Sequence, residues 1–155
     1  MATKKLEVSS TAFGEGKTIP KRYTADGENV SPPLKWSEPP DDTQSFAIVC
    51  DDPDAPSGTF VHWTAWNIKA DERELQEALP HLADQADLRQ GANSFGRPGY
   101  GGPKPPPGKP HHYRFHVYAL DIRPDVDPGI SPAELERALR GHILAEGRLT
   151  GLYGR

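Results

Sequence analysis

The stretch Asp51-Asp52-Pro53-Asp54-Ala55-Pro56 gathers three carboxylates, and His62 follows shortly after. The run before it, 46–50, has the continuous apolar character of a buried strand. A second strand-like run starts at Phe60. The two prolines fix φ and remove backbone donors, so the loop between these strands is stiff. Carboxylates at one strand's end and an imidazole at the start of the next can therefore meet on one rim. A turn alone does not need that charge, because Asn-Gly or Asp-Gly turns a chain with less of it. The residue types point to a site.

Further on, Gly101-Gly102-Pro103-Lys104-Pro105-Pro106-Pro107-Gly108 leads to His111-His112-Tyr113, where imidazole and phenol open another strand-like run. By donor type alone, Asp52, Asp54, His62 and His111 could hold a divalent metal or carry out hydrolysis. No His-Glu-x-x-His spacing supports a metal, and no metal or cofactor is expected. Ser57 and Thr59 lie near His62 in the chain, yet no Gly-x-Ser-x-Gly turn sets up a nucleophile. The proline run also matches polyproline ligands of SH3-like partners, a reading its site-like neighbours disfavour.

The 155 residues suffice for one domain, 1–155, with a sizeable core around these loops. A hydrophobic content of 35% is low, and 15 Gly with 17 Pro are many. Strand-like apolar runs nonetheless recur, so the expectation is a folded, loop-rich protein. A net charge of −4 without a long basic run argues against sequence-independent nucleic-acid binding. Cys50, the single cysteine, sits inside the buried run and reads as a small core hydrophobe. It allows a reducing compartment. Met1-Ala2-Thr3-Lys4-Lys5 leads into no apolar signal segment, and no apolar run has transmembrane length. A soluble cytoplasmic protein is expected.

Strands are expected at 6–9, once or twice within 17–26, and at 46–50. In 60–68, Phe60, His62, Thr64, Trp66 and Ile68 alternate with Val61, Trp63, Ala65 and Asn67, and bulk on both faces predicts a central strand. A short helix is expected from Asp71, with Leu75, Ala78 and Leu79 at helical spacing and Pro80 as its limit. The Gly- and Pro-rich stretch 90–110 is long enough to be functional, with Phe95 and Tyr100 to order it. The run 113–120 is the clearest strand. Ser131-Pro132-Ala133-Glu134 starts a second helix, with Leu135, Ala138, Leu139 and Ile143 as its apolar stripe. A short strand at 148–153 closes a mostly β chain in which Tyr118 is a core residue.

These motifs in this order resemble the phosphatidylethanolamine-binding protein family, particularly its bacterial and archaeal Raf-kinase-inhibitor-like branch. The residues that carry the resemblance are Asp52-Pro53-Asp54-Ala55-Pro56, His62, 102–108 and His111-His112-Tyr113. Asp26-Gly27, Ser31-Pro32-Pro33-Leu34-Lys35-Trp36, Asn93-Ser94-Phe95-Gly96 and Leu152-Tyr153 support it. The resemblance implies an antiparallel β-sandwich with Greek-key connections, one or two short peripheral helices, and a small pocket at one end. In the family that pocket binds phosphate-type anions, including the head group of phosphatidylethanolamine. Carried over, its lining is Asp52, Ala55, Pro56, Phe60, His62, Gly102, Pro105, Pro106, His111 and Tyr113. Lys104 departs from the Cys or Gly common there, and Phe60 stands where some members have Trp. The extended C-terminal helix of the eukaryotic members is not matched, so their pocket closure and kinase partners are not carried over.

The chemistry is consistent with that implication. His62, His111 and the Tyr113 hydroxyl are fixed donors for an anion, and the amides of Gly101 and Gly102 could add a nest. Asp52 beside an anion has three readings: it orients an imidazole, receives a ligand's ammonium group, or is protonated. His81, His112, His116 and His142 read as surface or structural. The expectation is non-catalytic binding of a small anion or phospholipid head group. Inhibition of a protease or kinase partner is the alternative, a hydrolase ranks below it, and a homodimer is left open.

Overall fold

The apolar and alternating runs become strands, in the chain order β1 (Lys4–Lys5), β2 (Val8–Ser9), β3 (Leu34–Trp36), β4 (Ser45–Asp52), β5 (Phe60–Lys69), β6 (Glu74–Leu75), β7 (Arg89–Gln90), β8 (His111–Leu120) and β9 (Ile143–Tyr153), with helix α1 (Pro132–Leu139) between the last two. This computed structural model describes residues 4–155, so the reading of Met1, Ala2 and Thr3 falls outside the described residues. The larger sheet has the order β1-β9-β8-β4-β5-β7 and the smaller β2-β3-β6. The chain is mostly β, in two sheets. Pairing is antiparallel except that β1 runs parallel to β9, which corrects the wholly antiparallel expectation.

Strand β4 is covered on both faces, and alternation sends its side chains to two cores. Phe46, Ile48 and Cys50 join Phe115 and Val117 of β8 and Leu34 and Trp36 of β3 in the main core. Ala47 joins Trp66, Leu120, Leu135 and Leu139 in a second core beneath α1. Burying each of those two helix leucines contributes about 1.5–3 kcal/mol. The helix starts where its cap predicts: Ser131 accepts from the Glu134 amide, and the Glu134 carboxylate accepts from the Ser131 amide. Such a cap contributes about 1 kcal/mol.

Several expectations are corrected. Of the strand expected at 6–9 only Val8–Ser9 forms, and Leu6 and Glu7 link it to β1 in the other sheet. The 17–26 region holds only a bridge from Thr18 to Leu152 and the 3-10 turn Lys21–Tyr23. The helix expected from Asp71 is absent, because Glu74 and Leu75 pair with Lys35 and Leu34 instead. That pairing packs Leu75 against the main core, which outweighs a weak local helix preference. Ala78 takes a φ of 60°, outside any helix. The stripe from Leu135 stops at Leu139, and Ile143 instead begins β9, whose eleven residues exceed the short strand expected.

Strand β5 lies next to the sheet edge rather than at the centre. Its alternation is broken twice. Phe46 pairs with Ile68 and Ile48 with Ala65, so Trp66 and Asn67 oppose Ala47 alone. Asn67 absorbs the extra residue at φ 59°. Ile68 thereby joins Trp63 and Ala65 in the main core while Trp66 turns to the helix side. The second bulge sets the site. Asp51 pairs with Val61 and Cys50 with Trp63, which leaves His62 as the inserted residue.

Candidate functional site

Alternation along β4 places Cys50 in the main core, Asp51 on the helix side and Asp52 on the core side at the strand's end. Across from Asp52 stands Phe60. The bulge brings the next ring, His62, to the same rim, with its centroid 4.8 Å from that of Phe60. Strand β8 begins alongside with His111 and, two residues on, Tyr113.

Asp52 is 3% exposed. Its Oδ2 lies 2.7 Å from His111 Nδ1, and its Oδ1 accepts from the Asp54 amide at 2.8 Å. The contact fits the first of the three readings of Asp52, in which the carboxylate orients an imidazole. A parallel clip lies one step outward, where Asp54 accepts from both the amide (2.8 Å) and Nδ1 (2.7 Å) of His112. The His112 amide and ring hold the Asp54 carboxyl below the usual carboxylate range. Two Asp–His pairs thus fasten the proline-stiffened loop to the start of β8, and His112 is structural as expected.

His62 Nδ1 lies 2.6 Å from the Gly101 carbonyl oxygen. A carbonyl only accepts, so the ring carries a proton on Nδ1. Burial pushes the His62 pKa below the ordinary histidine value, and the Gly101 carbonyl and the Asp52 charge oppose this only in part. The free ring is therefore neutral at pH 7, with a bare lone pair on Nε2.

The Tyr113 ring lies edge-on to His62 at 5.3 Å and nearly parallel to His111 at 6.4 Å. Its hydroxyl is buried without a hydrogen-bond partner among the described residues. Burial, with the Asp52 charge behind it, raises the phenol pKa far above its usual value, so the group remains a donor. An unpaired buried hydroxyl costs about 1–3 kcal/mol. An incoming acceptor would remove that cost.

The nest is a correction. The Gly101 amide donates to the His62 carbonyl (2.9 Å) and the Gly102 amide to Asn29 Oδ1 (2.7 Å), so neither is available to a ligand. These glycines serve close packing instead. A Cβ on Gly102 would lie 2.5 Å from Asn29 Oδ1, and one on Gly101 would lie 2.6 Å from the Phe95 ring.

Asp52, Phe60, His62, His111 and Tyr113 are brought together, and Gly102 follows the Gly101 whose carbonyl anchors His62. Ala55 and Pro56 follow Asp52 in its loop, Pro105 and Pro106 precede His111 in theirs, and none takes part in these hydrogen bonds. Pro105 is buried, Ala55 half-buried, and Pro56, Pro106 and Lys104 exposed. Phe95 was not expected in the cluster, yet its ring lies 4.7 Å from Phe60 and 5.6 Å from His62. The sequence signal was an aromatic inside a glycine-rich loop. Beside His111, β9 contributes Tyr153, whose hydroxyl donates to Asp26 (2.7 Å). Arg155 also donates to Asp26, which the Arg155 and Tyr153 donors hold at a pKa of about 2.

On the opposite face, Asp51 accepts from Arg114 Nε (2.7 Å) and Nη2 (3.2 Å), with His116 Nε2 at 3.4 Å. Burial would raise its pKa, but the His116 and Arg114 donors outweigh that and lower it. A groove of about 700 Å³ lies here between the sheet and α1, lined by Asp51, Thr59 and Tyr118 among others. Thr59 therefore lines a groove on the far side of the sheet from the rings. Tyr118 is half-buried rather than a core residue. Cys50 is buried, with burial raising its thiol pKa. His81 bonds the Tyr100 carbonyl and His142 pairs with Asp121, both structural roles. No helix among the described residues is long and apolar enough to cross a membrane.

A profile of the family described as phosphatidylethanolamine-binding protein matches residues 9–154. A UPF0098 protein of Aquifex aeolicus is 45% identical over 152 residues, covering 97% of this chain and 89% of that protein. One from Pyrococcus horikoshii is 47% identical over 154 residues, covering 97% of this chain and 77% of that protein. Among solved structures, a Chlamydia trachomatis protein described as a putative phosphatidylethanolamine-binding protein homolog superposes with a TM-score of 0.88 at 34% identity, covering 99% of both chains. E. coli YbcL, described as a new member of the mammalian family, gives a TM-score of 0.88 at 34% identity, covering 97% of this chain and 99% of its own.

Proposed function

The chain belongs to the phosphatidylethanolamine-binding protein family, and from that premise we propose that it binds a phosphate-type anion or phospholipid head group, without catalysis, among Asp52, His62, His111 and Tyr113. Phe60, Gly102 and the loop residues Ala55, Pro56, Pro105 and Pro106 wall the site. The chain acts as a single domain, 1–155, with its sheets read as a Greek-key sandwich. The observation that carries the reading is the buried Tyr113 hydroxyl, left without a partner beside two imidazoles that are each anchored through Nδ1.

Those anchors leave Nε2 of each ring for a ligand. Neutral His62 offers only a lone pair there, so an anion must bring a proton onto Nε2, and binding takes up a proton. A head group with an ammonium offers a second solution, because its N–H can donate to that lone pair. The hydrolase reading has no such support: Asp54 is engaged by His112 and Thr59 lines the other face. Calorimetry with sulfate tests the proposal. Binding by the native protein that weakens in Tyr113→Phe and His111→Ala supports it, and native protein that shows no binding refutes it.

A further inference from the structure

The loop that closes the site on the His62 side also forms an outer surface. Phe95 packs one edge on Phe60 and His62 yet is 44% exposed, and Leu82 is 60% exposed. They are the two large exposed hydrophobic side chains among the described residues. Phe95 and His81 line one shallow cavity of about 750 Å³, together with Arg97 and Lys104, and Leu82 follows His81 in the chain. Leu82 is not exposed through a loose backbone. Its carbonyl accepts from Nε2 of both Gln85 (3.0 Å) and Gln90 (3.0 Å).

Charge on this surface departs from that of the whole chain, which carries a net −4. Arg97 and Lys104 have no acidic partner among the ion pairs of the described residues. The acid in the cavity, Glu28, is paired with Arg22. The exposed Phe95 ring beside two unpaired cations, with exposed Leu82 one residue beyond His81 of the same cavity, matches the interface of an anionic bilayer: apolar tips enter the head-group layer while lysine and arginine meet the anionic lipids.

We propose that this face, centred on Leu82, Phe95, Arg97 and Lys104, docks on an anionic lipid surface and presents the neighbouring site to a head group still in the bilayer. The idea rests on the head-group reading above and selects the membrane, rather than free anion, as the ligand's source. Phe95 belongs to both surfaces, so docking places the site mouth at the head-group level.

Flotation with phosphatidylcholine vesicles, with and without phosphatidylglycerol, tests it beside sulfate calorimetry. The native protein should float with the anionic vesicles only, and raising salt from about 0.05 M to about 0.5 M should weaken this. The double variant Leu82→Ser/Arg97→Gln should lose at least about fivefold in vesicle partitioning while keeping its sulfate affinity and melting temperature. Native protein that does not float overturns the proposal and leaves the face to a protein partner. A double variant that floats as well as native also overturns it. Absence of sulfate binding is a separate result: it refutes the anion site, while the vesicle result alone decides docking.

Discussion

Asp51 and Asp52 are consecutive residues of one strand that serve opposite faces of one sheet. On the helix side, Asp51 receives two bonds from Arg114 and a longer one from His116, and α1 and its groove lie above it. On the core side, Asp52 receives one side-chain bond, from His111, and the nearby Tyr113 hydroxyl receives none. Both clusters contain a carboxylate, a histidine and a tyrosine, each buried or half-buried. The difference is whether the neighbours satisfy one another. Where they do, the cluster holds the fold together. Where a donor is left over, the free protein bears a cost that a ligand can remove.

The sharpest way to break the comparison is Asp51→Ala. It strands the partly buried Arg114 guanidinium and should cost about 2–4 kcal/mol, lowering the melting temperature by about 5–15 °C. Sulfate affinity, measured well below the melting transition, should remain. Loss of binding with little loss of stability would reverse the roles assigned to the two faces.

The mirror experiment is His111→Ala. Removing a hydrogen bond to a charged group, worth about 1.5–3 kcal/mol, should weaken sulfate about 10- to 100-fold. Melting should shift less than in Asp51→Ala, and a larger shift would make His111 a structural residue like Arg114.

A third measurement concerns protons. The His62 pKa is depressed in the free protein, and a bound anion raises it. Between those two values binding takes up a proton, so sulfate affinity should strengthen as pH falls from about 7 to about 5, by at most about tenfold per unit. Calorimetry in buffers of different ionisation enthalpy counts the protons directly. The sign for stability is opposite. A depressed histidine contributes stability above its unfolded value of about 6.5, and that contribution is lost as pH falls toward the folded value. Affinity that does not vary with pH would mean that donors already present in the free protein, such as the Tyr113 hydroxyl, hold the sulfate without protonation of an imidazole.

The smallest effect should come from Tyr113→Phe. Deleting the unpaired hydroxyl should leave melting unchanged or raise it by about 1–3 °C, while sulfate weakens a few-fold. A clear drop in melting temperature would show that the hydroxyl is already satisfied in the free protein.

Much of this could be read in the sequence where local chemistry and tertiary packing agree. The 46–50 run, the 113–120 run and the Ser131 cap each became the predicted element because a core waited on the predicted face. Leu75 shows the opposite case, since helical spacing yielded to pairing with Leu34. Asp52, Phe60, His62, His111 and Tyr113 lie together, but what brings His62 to the rim is not visible in the sequence. A bulge is one inserted residue in an otherwise regular alternation, and only the pairing with β4 reveals it. The glycine amides were misread for a related reason. Asn29, which occupies the Gly102 amide, lies 73 residues away in the chain.

The sheet edges carry a last consequence. Both sheets end in two-residue strands: β1 and β7 in the larger, β2 and β6 in the smaller. Beyond them, the long outer edge of β9 is bonded by Leu6, Gly16, Lys17 and Ile19, and that of β5 by Gly91, Ser94 and Gly101. Irregular chain thus uses up backbone groups that would otherwise template strand addition. The protein should stay dispersed at high concentration and resist fibril growth from its native state. Self-association through either long edge would first have to displace that bonded chain.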